Sequence, residues 1–173
     1  TYVDYFRTSD IGDVNGDGLD DLIIGAQDDD PNGNSSGASF VVFGKTGGTA
    51  VELSDVEGGT GGFAVNGIAA YDNSGLSVSR AGDVNNDGLD DLIIGAEGAD
   101  PNGGDSGASY VVFGKTGGSA VELSDVDAGT GGFTINGVSA YDRSGVSVSN
   151  AGDINGDSFD DLIVGAWSCL LYT

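Results

Sequence analysis

Asp13, Asn15, Asp17 and Asp21 occupy positions 1, 3, 5 and 9 of the segment Asp13-Val-Asn15-Gly-Asp17-Gly-Leu19-Asp20-Asp21. The same oxygen-bearing positions recur as Asp83, Asn85, Asp87 and Asp91, and again as Asp153, Asn155, Asp157 and Asp161. Alternating side-chain oxygens on a tightly turned loop are what a hard divalent cation requires. Calcium takes about six to eight oxygens at roughly 2.3–2.6 Å and accepts carboxylates, an Asn amide, a backbone carbonyl and water together. The pattern predicts three calcium sites, with the carbonyls of Leu19, Leu89 and Phe159 turned inward. Gly18 and Gly88 permit the tight turn, whereas the third loop has Ser158 there. A side chain at that point makes the turn less relaxed and predicts a weaker third site.

The residues that follow separate these loops from look-alikes. An EF-hand closes with a bidentate Glu at position 12, but Ile24, Ile94 and Val164 stand there. The same apolar residue excludes a dockerin-type loop, which takes an acid before a helix. An isolated Asp/Asn/Gly cluster is ordinarily a solvated turn, and only the threefold recurrence of four oxygen positions argues otherwise. Each loop runs instead into a short β-branched segment, Leu22-Ile23-Ile24 in the first copy, bounded by Gly25, which reads as a strand.

Those strands belong to a long repeat. Residues 12–79 and 82–149 are identical at about three quarters of their positions, a period suited to propeller blades or arrays. Within a repeat, strand-like runs at Leu22–Ala26, Ala38–Phe43, Ala50–Leu53, Phe63–Val65 and Leu76–Ser79 alternate with turns such as Pro31-Asn32-Gly33 and Asn66-Gly67. The turn residues supply the positive φ that hairpins use. No window carries helical apolar spacing. About four antiparallel strands per repeat make one blade. The expected fold is therefore all-β, with tandem four-stranded antiparallel blades of a β-propeller that is incomplete within one chain. Blades at 1–79 and 80–149 are followed by the first half of a third, 150–173, with a divergent tail.

Phe43-Gly44 and Phe113-Gly114, together with Gly25-Ala26, Gly95-Ala96 and Gly165-Ala166 after each acidic loop, resemble the FG-GAP repeat of integrin α-subunit β-propellers and their bacterial relatives. The resemblance covers nearly the whole chain. It implies that residues 13–21, 83–91 and 153–161 are calcium loops joining two strands of a blade, and that the FG and GA segments pack the blade core. Two departures stand out: Gln27, Glu97 and Trp167 follow GA where the family usually has Pro, and the repeat is long. Function within the family ranges from adhesion to accessory domains of hydrolases.

Charge narrows the partners. The chain has 28 acidic and 5 basic residues, a net charge of −23 and no histidine. Nucleic-acid binding needs Lys/Arg clusters, so neither nucleic acid nor an anionic membrane is an expected partner. Three calcium ions would offset part of a charge that opposes compaction. Without histidine the commonest general base is missing, and Cys169 alone can form no internal disulfide or Cys/His metal site. Few cysteines and high calcium capacity are compatible with an extracellular or cell-surface location. No apolar run approaches a membrane span, and the start lacks a signal peptide, so the chain reads as a mature piece or a cut-out segment.

Weaker signals remain. Phe43, Phe63, Phe113, Phe133, Tyr71 and Tyr141 recur at repeat spacing, which favours blade-core packing over sugar stacking. Asn34 opens an Asn-x-Ser sequon on a predicted exposed loop. Asp20 and Asp21 are adjacent on a strand and face opposite ways, so they cannot flank one bond as a glycosidase pair. Asp20, Asp90 and Asp160 then read as outward groups or as groups behind the ligands. An open stack of two and a half blades leaves both end faces unsealed. Self-association or further blades of a longer chain are the expected cover, and Trp167, Leu170, Leu171 and Tyr172 are expected to contact either a neighbouring subunit or the chain's own exposed blade. The functional expectation is a non-enzymatic, calcium-binding extracellular protein with an adhesion or scaffold role and a protein or glycan ligand. A self-assembling fibre subunit and the accessory propeller of a secreted hydrolase are the alternatives.

Overall fold

The computed structural model describes residues 6–167. The first blade is an antiparallel meander of β1 (Phe6–Gly12), β2 (Asp21–Ala26), β3 (Ala38–Val42) and β4 (Gly62–Asn66), with a one-turn helix α1 (Leu53–Glu57) between β3 and β4. The second repeats it with β5 (Ser77–Gly82), β6 (Asp91–Ala96), β7 (Ala108–Val112) and β9 (Gly132–Asn136). Before β9 come a two-residue strand, β8 (Val121–Glu122), and α2 (Leu123–Asp127); β8 leaves its own blade to pair in parallel with β4 of the first. A third sheet contains β10 (Ser144–Gly152) and β11 (Asp161–Ala166). The all-β, bladed reading is borne out.

Three details differ from the sequence reading. The run Ala50–Leu53 is not a strand, and the described residues include two short helices where none was expected. Leu123 and Val126, three residues apart, bury on one face of a single turn. That i, i+3 signal is too short to register in a longer window. Leu76–Ser79 does not close the first blade, because β5 pairs with β6 of the second. The sheets thus divide within the connections before β5 and before β10, while the boundaries at 79/80 and 149/150 fall inside those strands.

Burial is set by position in the stack as much as by sequence. β2 and β6 share the sequence Asp-Leu-Ile-Ile-Gly-Ala, yet β6 is buried throughout while Leu22 of β2 is 40% exposed. β6 has a blade on each face and β2 on one. The main core fills the first junction: Ile11, Val14, Ile23, Phe63 and Val65 of the first blade pack with Leu92, Ile94, Tyr110 and Val112 of the second. Ile93, Val111, Val148, Leu162 and Val164 fill the next. Each aliphatic side chain moved from water to such a junction contributes about 1.5–3 kcal/mol. Blade stacking therefore buries the two apolar clusters of the described residues.

Candidate metal centre

Each acidic loop joins the first strand of a blade to the second. A register shift between Asp10 and Gly12 ends β1 and swings the chain into the loop, and equivalent shifts precede Gly82 and Gly152. In the first loop Asp13 Oδ1 accepts the N–H groups of Gly16 (2.7 Å) and Asp17 (3.0 Å), and its Oδ2 that of Gly18 (2.8 Å). Asn15 Oδ1 accepts Asp17 N–H at 2.8 Å, and Asp17 Oδ1 accepts Leu19 N–H at 2.9 Å. The carboxylates and the Asn amide thus wind the backbone around themselves.

The other loops repeat this winding. Asp83 accepts from Asp87 and Gly88, Asn85 from Asp87, and Asp87 from Leu89. Asp153 accepts from Gly156, Asp157 and Ser158, Asn155 from Asp157, and Asp157 from Phe159. Ser158 has φ +76°, the left-handed conformation that its Gly counterparts adopt without strain.

In the first two loops the position-9 aspartate ties the loop to its blade. Asp21 is buried; its Oδ1 accepts Gly44 N–H at 2.7 Å and its Oδ2 accepts Val14 N–H at 3.0 Å. Asp91 does the same with Gly114 (2.8 Å) and Val84 (3.0 Å). The FG glycine is needed for this approach: a Cβ on Gly44 would lie 2.6 Å from Asp20 O and 2.7 Å from Leu19 Cβ, and Gly114 stands in the same relation to Asp90 and Leu89. In the third loop Asp161 Oδ2 accepts Ile154 N–H at 2.7 Å, and the loop is exposed.

Electrostatics mark the same residues. Burial, opposed by the Gly44 and Val14 N–H groups and reinforced by the charges of Asp17 and Asp13, pushes the Asp21 carboxyl up. Burial and the charges of Asp87 and Asp83 push Asp91 up to about 6 against the bonds from Gly114 and Val84. At Asp13 the upward push of desolvation is outweighed by the N–H groups of Gly18, Gly16, Asp17 and Asn15 together, which hold the carboxyl below its usual range. The N–H of Ser158, then those of Gly156 and Asp157, do this for Asp153.

Among the described residues no three Asp, Glu or Cys side chains converge closely enough to hold a metal as they stand. The donors lie along each loop without closing into a cage. Their chemistry nevertheless fits a hard cation: a carboxylate offers about four acceptor sites, of which Asp13 uses three and Asp17 and Asp21 two each. Every ligand candidate keeps a free lone pair, and like charges crowd a buried carboxylate.

Sequence reasoning assigned the phenylalanines correctly where a blade covers them. Phe63 is fully buried, with Phe43 edge-on at 5.9 Å. Phe133, its repeat equivalent, is 41% exposed, because the third sheet covers less of it. Tyr71 and Tyr141 are not core residues. They have positive φ on the connections before β5 and β10 and are about two-thirds exposed. Trp167 is exposed, and Leu170, Leu171 and Tyr172 lie outside the described residues. The Gly44 and Gly114 amide donors were missed as loop anchors, although their recurrence in FG pairs was the available signal.

Residues 6–42 and 74–112 match the FG-GAP repeat. This is an FG-GAP repeat protein. Each matched segment begins at or just before the first strand of a blade and runs through its acidic loop to the end of the third strand. The chain is also similar to integrin alpha-5 of Xenopus laevis, 33% identical over 164 residues, covering 90% of this chain and 14% of that protein. Integrin alpha-4 of the same species is 31% identical over 158 residues (90% and 14%), and integrin alpha pat-2 of Caenorhabditis briggsae 32% over 167 residues (91% and 13%). The FG-GAP chain thus spans about one seventh of the length of these relatives.

Proposed function

We propose that the chain is a non-enzymatic calcium-binding module in which three cations brace the blade stack, and that it serves an adhesion or scaffold role outside the cell or at its surface. The observation that carries the metal reading is the threefold loop whose first aspartate is wrapped by backbone N–H groups, with the last aspartate of the first two loops anchored to the blade by the FG glycine. Asp13, Asn15, Asp17, Asp21 and the Leu19 carbonyl would hold the first ion. Asp83, Asn85, Asp87, Asp91 and Leu89 would hold the second, and Asp153, Asn155, Asp157, Asp161 and Phe159 the third. A bound cation supplies positive charge where buried Asp91 sits among like charges. Similarity to integrin α chains supports the adhesion role and the extracellular location. No helix among the described residues is long and apolar enough to cross a membrane.

For a ligand, the end of the blades opposite the acidic loops offers a groove lined by Tyr71, Asn73, Glu97, Asp105 and Arg143. Its exposed aromatic and mixed charges suit an extracellular protein or glycan. The test of the central reading is calorimetric titration with calcium and melting in excess chelator. Binding of three ions and a lowered Tm on chelation are expected, and an unchanged Tm with no binding heat overturns it.

A second reading concerns assembly. Ile163 is 55% exposed and Leu22 is 40% exposed, whereas Ile93 and Leu92 at the same repeat positions are fully buried between blades. These faces suit a further blade of the same kind, from a second copy or a longer chain. Light scattering over a concentration series is expected to show mass growth for this chain, and a concentration-independent monomer mass excludes self-association.

A further inference from the structure

We infer that Asp90 is a positioning residue for the acidic loop of the preceding blade, with Asp160 placed to act likewise at the second junction, so that docking of the next blade tightens a loop and strengthens its hold on a cation. The inference rests on the calcium reading for its metal consequence and on the blade junctions for its geometry.

Asp90 belongs to the second loop but does not serve it. Its Oδ2 accepts the N–H of Asp13, the leading ligand candidate of the first loop, at 2.9 Å. Its own N–H donates to Asp13 O at 3.1 Å, so the two aspartates exchange a reciprocal pair of bonds across the junction. Arg80 Nη2 holds the other carboxylate oxygen at 2.6 Å. Nearby, Lys115 N–H donates to Val14 O at 2.8 Å, and Lys115 Nζ lies 4.7 Å from the centre of the Phe63 ring. The first loop is therefore gripped at Asp13 and Val14 by the second blade.

The glycine that precedes each loop fits this grip. A Cβ on Gly12 would collide with Asp90 Oδ2, and one on Gly82 would collide with Asp160 Oδ2. At the second junction Asn150 takes the place of Arg80; its Nδ2 donates to Asp160 Oδ2 at 3.2 Å and to Ala81 O at 2.8 Å. Gly152 has open space around it, and Ile154 is 70% exposed where its counterpart Val14 is buried. Asp20 is exposed and its carboxylate accepts no hydrogen bond among the described residues. The same residue position thus occurs in three states: Asp90 bonded to the first loop, Asp160 set against Gly82 at the head of the second loop and held by Asn150, and Asp20 facing no loop.

The main chain at Asp13 sets where its carboxylate points. Groups behind metal ligands typically change affinity about 10- to 100-fold when removed. The experiment uses the chain with Asp87→Ala and Asp157→Ala, so that calcium reports on the first loop alone. Adding Asp90→Ala is expected to weaken that affinity at least about tenfold. In calcium-free buffer Asp90→Ala in the otherwise unaltered chain is expected to speed amide exchange over residues 12–21 and leave residues 83–89 unchanged. Asp160→Ala is expected to do the same to residues 82–91, and Asp20→Ala to alter neither loop. Asp90→Asn, which keeps an acceptor for Asp13 N–H and loses the ion pair, is expected to restore most of the protection. Unchanged affinity with Asp90→Ala overturns the inference, as does faster exchange confined to residues 83–91. A parent that binds no calcium at its first loop overturns the metal reading and the metal consequence together. Unaltered exchange in calcium-free buffer overturns the positioning role by itself.

Discussion

At the scale of residues, the aspartates of one loop divide between candidate cation ligands, such as Asp83 and Asp87, and a group such as Asp90 whose bonds go to the neighbouring blade. Asp87 sits at the centre of the second loop, so Asp87→Ala is expected to remove one of three calcium equivalents in calorimetry; retention of all three would mean that the ligand register is displaced. Asp72 makes a different case, away from the loops. Burial pushes its carboxyl up, opposed by the Ala69 N–H and reinforced by the charge of Asp100. Its folded pKa therefore lies above the unfolded value, and in that window the native state binds more protons. Stability is undiminished below the unfolded pKa and is lost as pH rises through the folded one. Asp72→Asn keeps an oxygen for Ala69 N–H and removes the buried charge. Tm should rise at pH 7, and the gain should fade towards pH 4. A gain independent of pH would assign the effect to something other than ionisation. The alternating oxygens of each loop and the turns they wind were legible in the sequence because both are local properties. The Asp90 contact with Asp13 was not, since 77 residues separate the partners and only the stacking of blades brings them together.

At the scale of elements, identical strands in different places give a direct measure of what stacking contributes. β2 and β6 have one sequence, but Leu92 is fully buried between two blades and Leu22 is 40% exposed. Leu92→Ala is expected to cost about 2–5 kcal/mol through lost burial and a cavity. Leu22→Ala should cost well under half as much, because water already reaches that side chain. Denaturant melts of the two variants compare them directly, and equal losses would mean that the blades are stable singly. Strand existence was readable from the β-branched runs and turn residues. The helices α1 and α2 were not, because one turn held by Val56, or by Leu123 and Val126, depends on β3, β4 and their counterparts to bury it. Likewise β8 extends the first blade rather than its own, an arrangement that no local pattern encodes.

At the scale of the whole molecule, the net charge of −23 opposes every junction that stacking creates. Much of that charge is concentrated in three loops on one end of the blades, and at the first junction Asp90 brings a carboxylate of the second loop against the backbone of the first. Arg80 compensates there, and few other bases are present to do so elsewhere. Calcium at the loops would neutralise charge where it is densest, while monovalent salt screens it everywhere, with a Debye length falling from about 30 Å at 0.01 M to about 3 Å at 1 M. The two should substitute for one another in part. The calcium-free chain is expected to gain Tm steeply between 10 mM and 500 mM NaCl, and the calcium-saturated chain to gain much less. If self-repulsion were negligible, both curves would be flat and separated by the calcium contribution alone. At about 100 times its dissociation constant, each ion would stabilise by roughly 2.7 kcal/mol. Parallel steep curves would show instead that repulsion acts outside the loops, in the faces and connections that calcium does not reach.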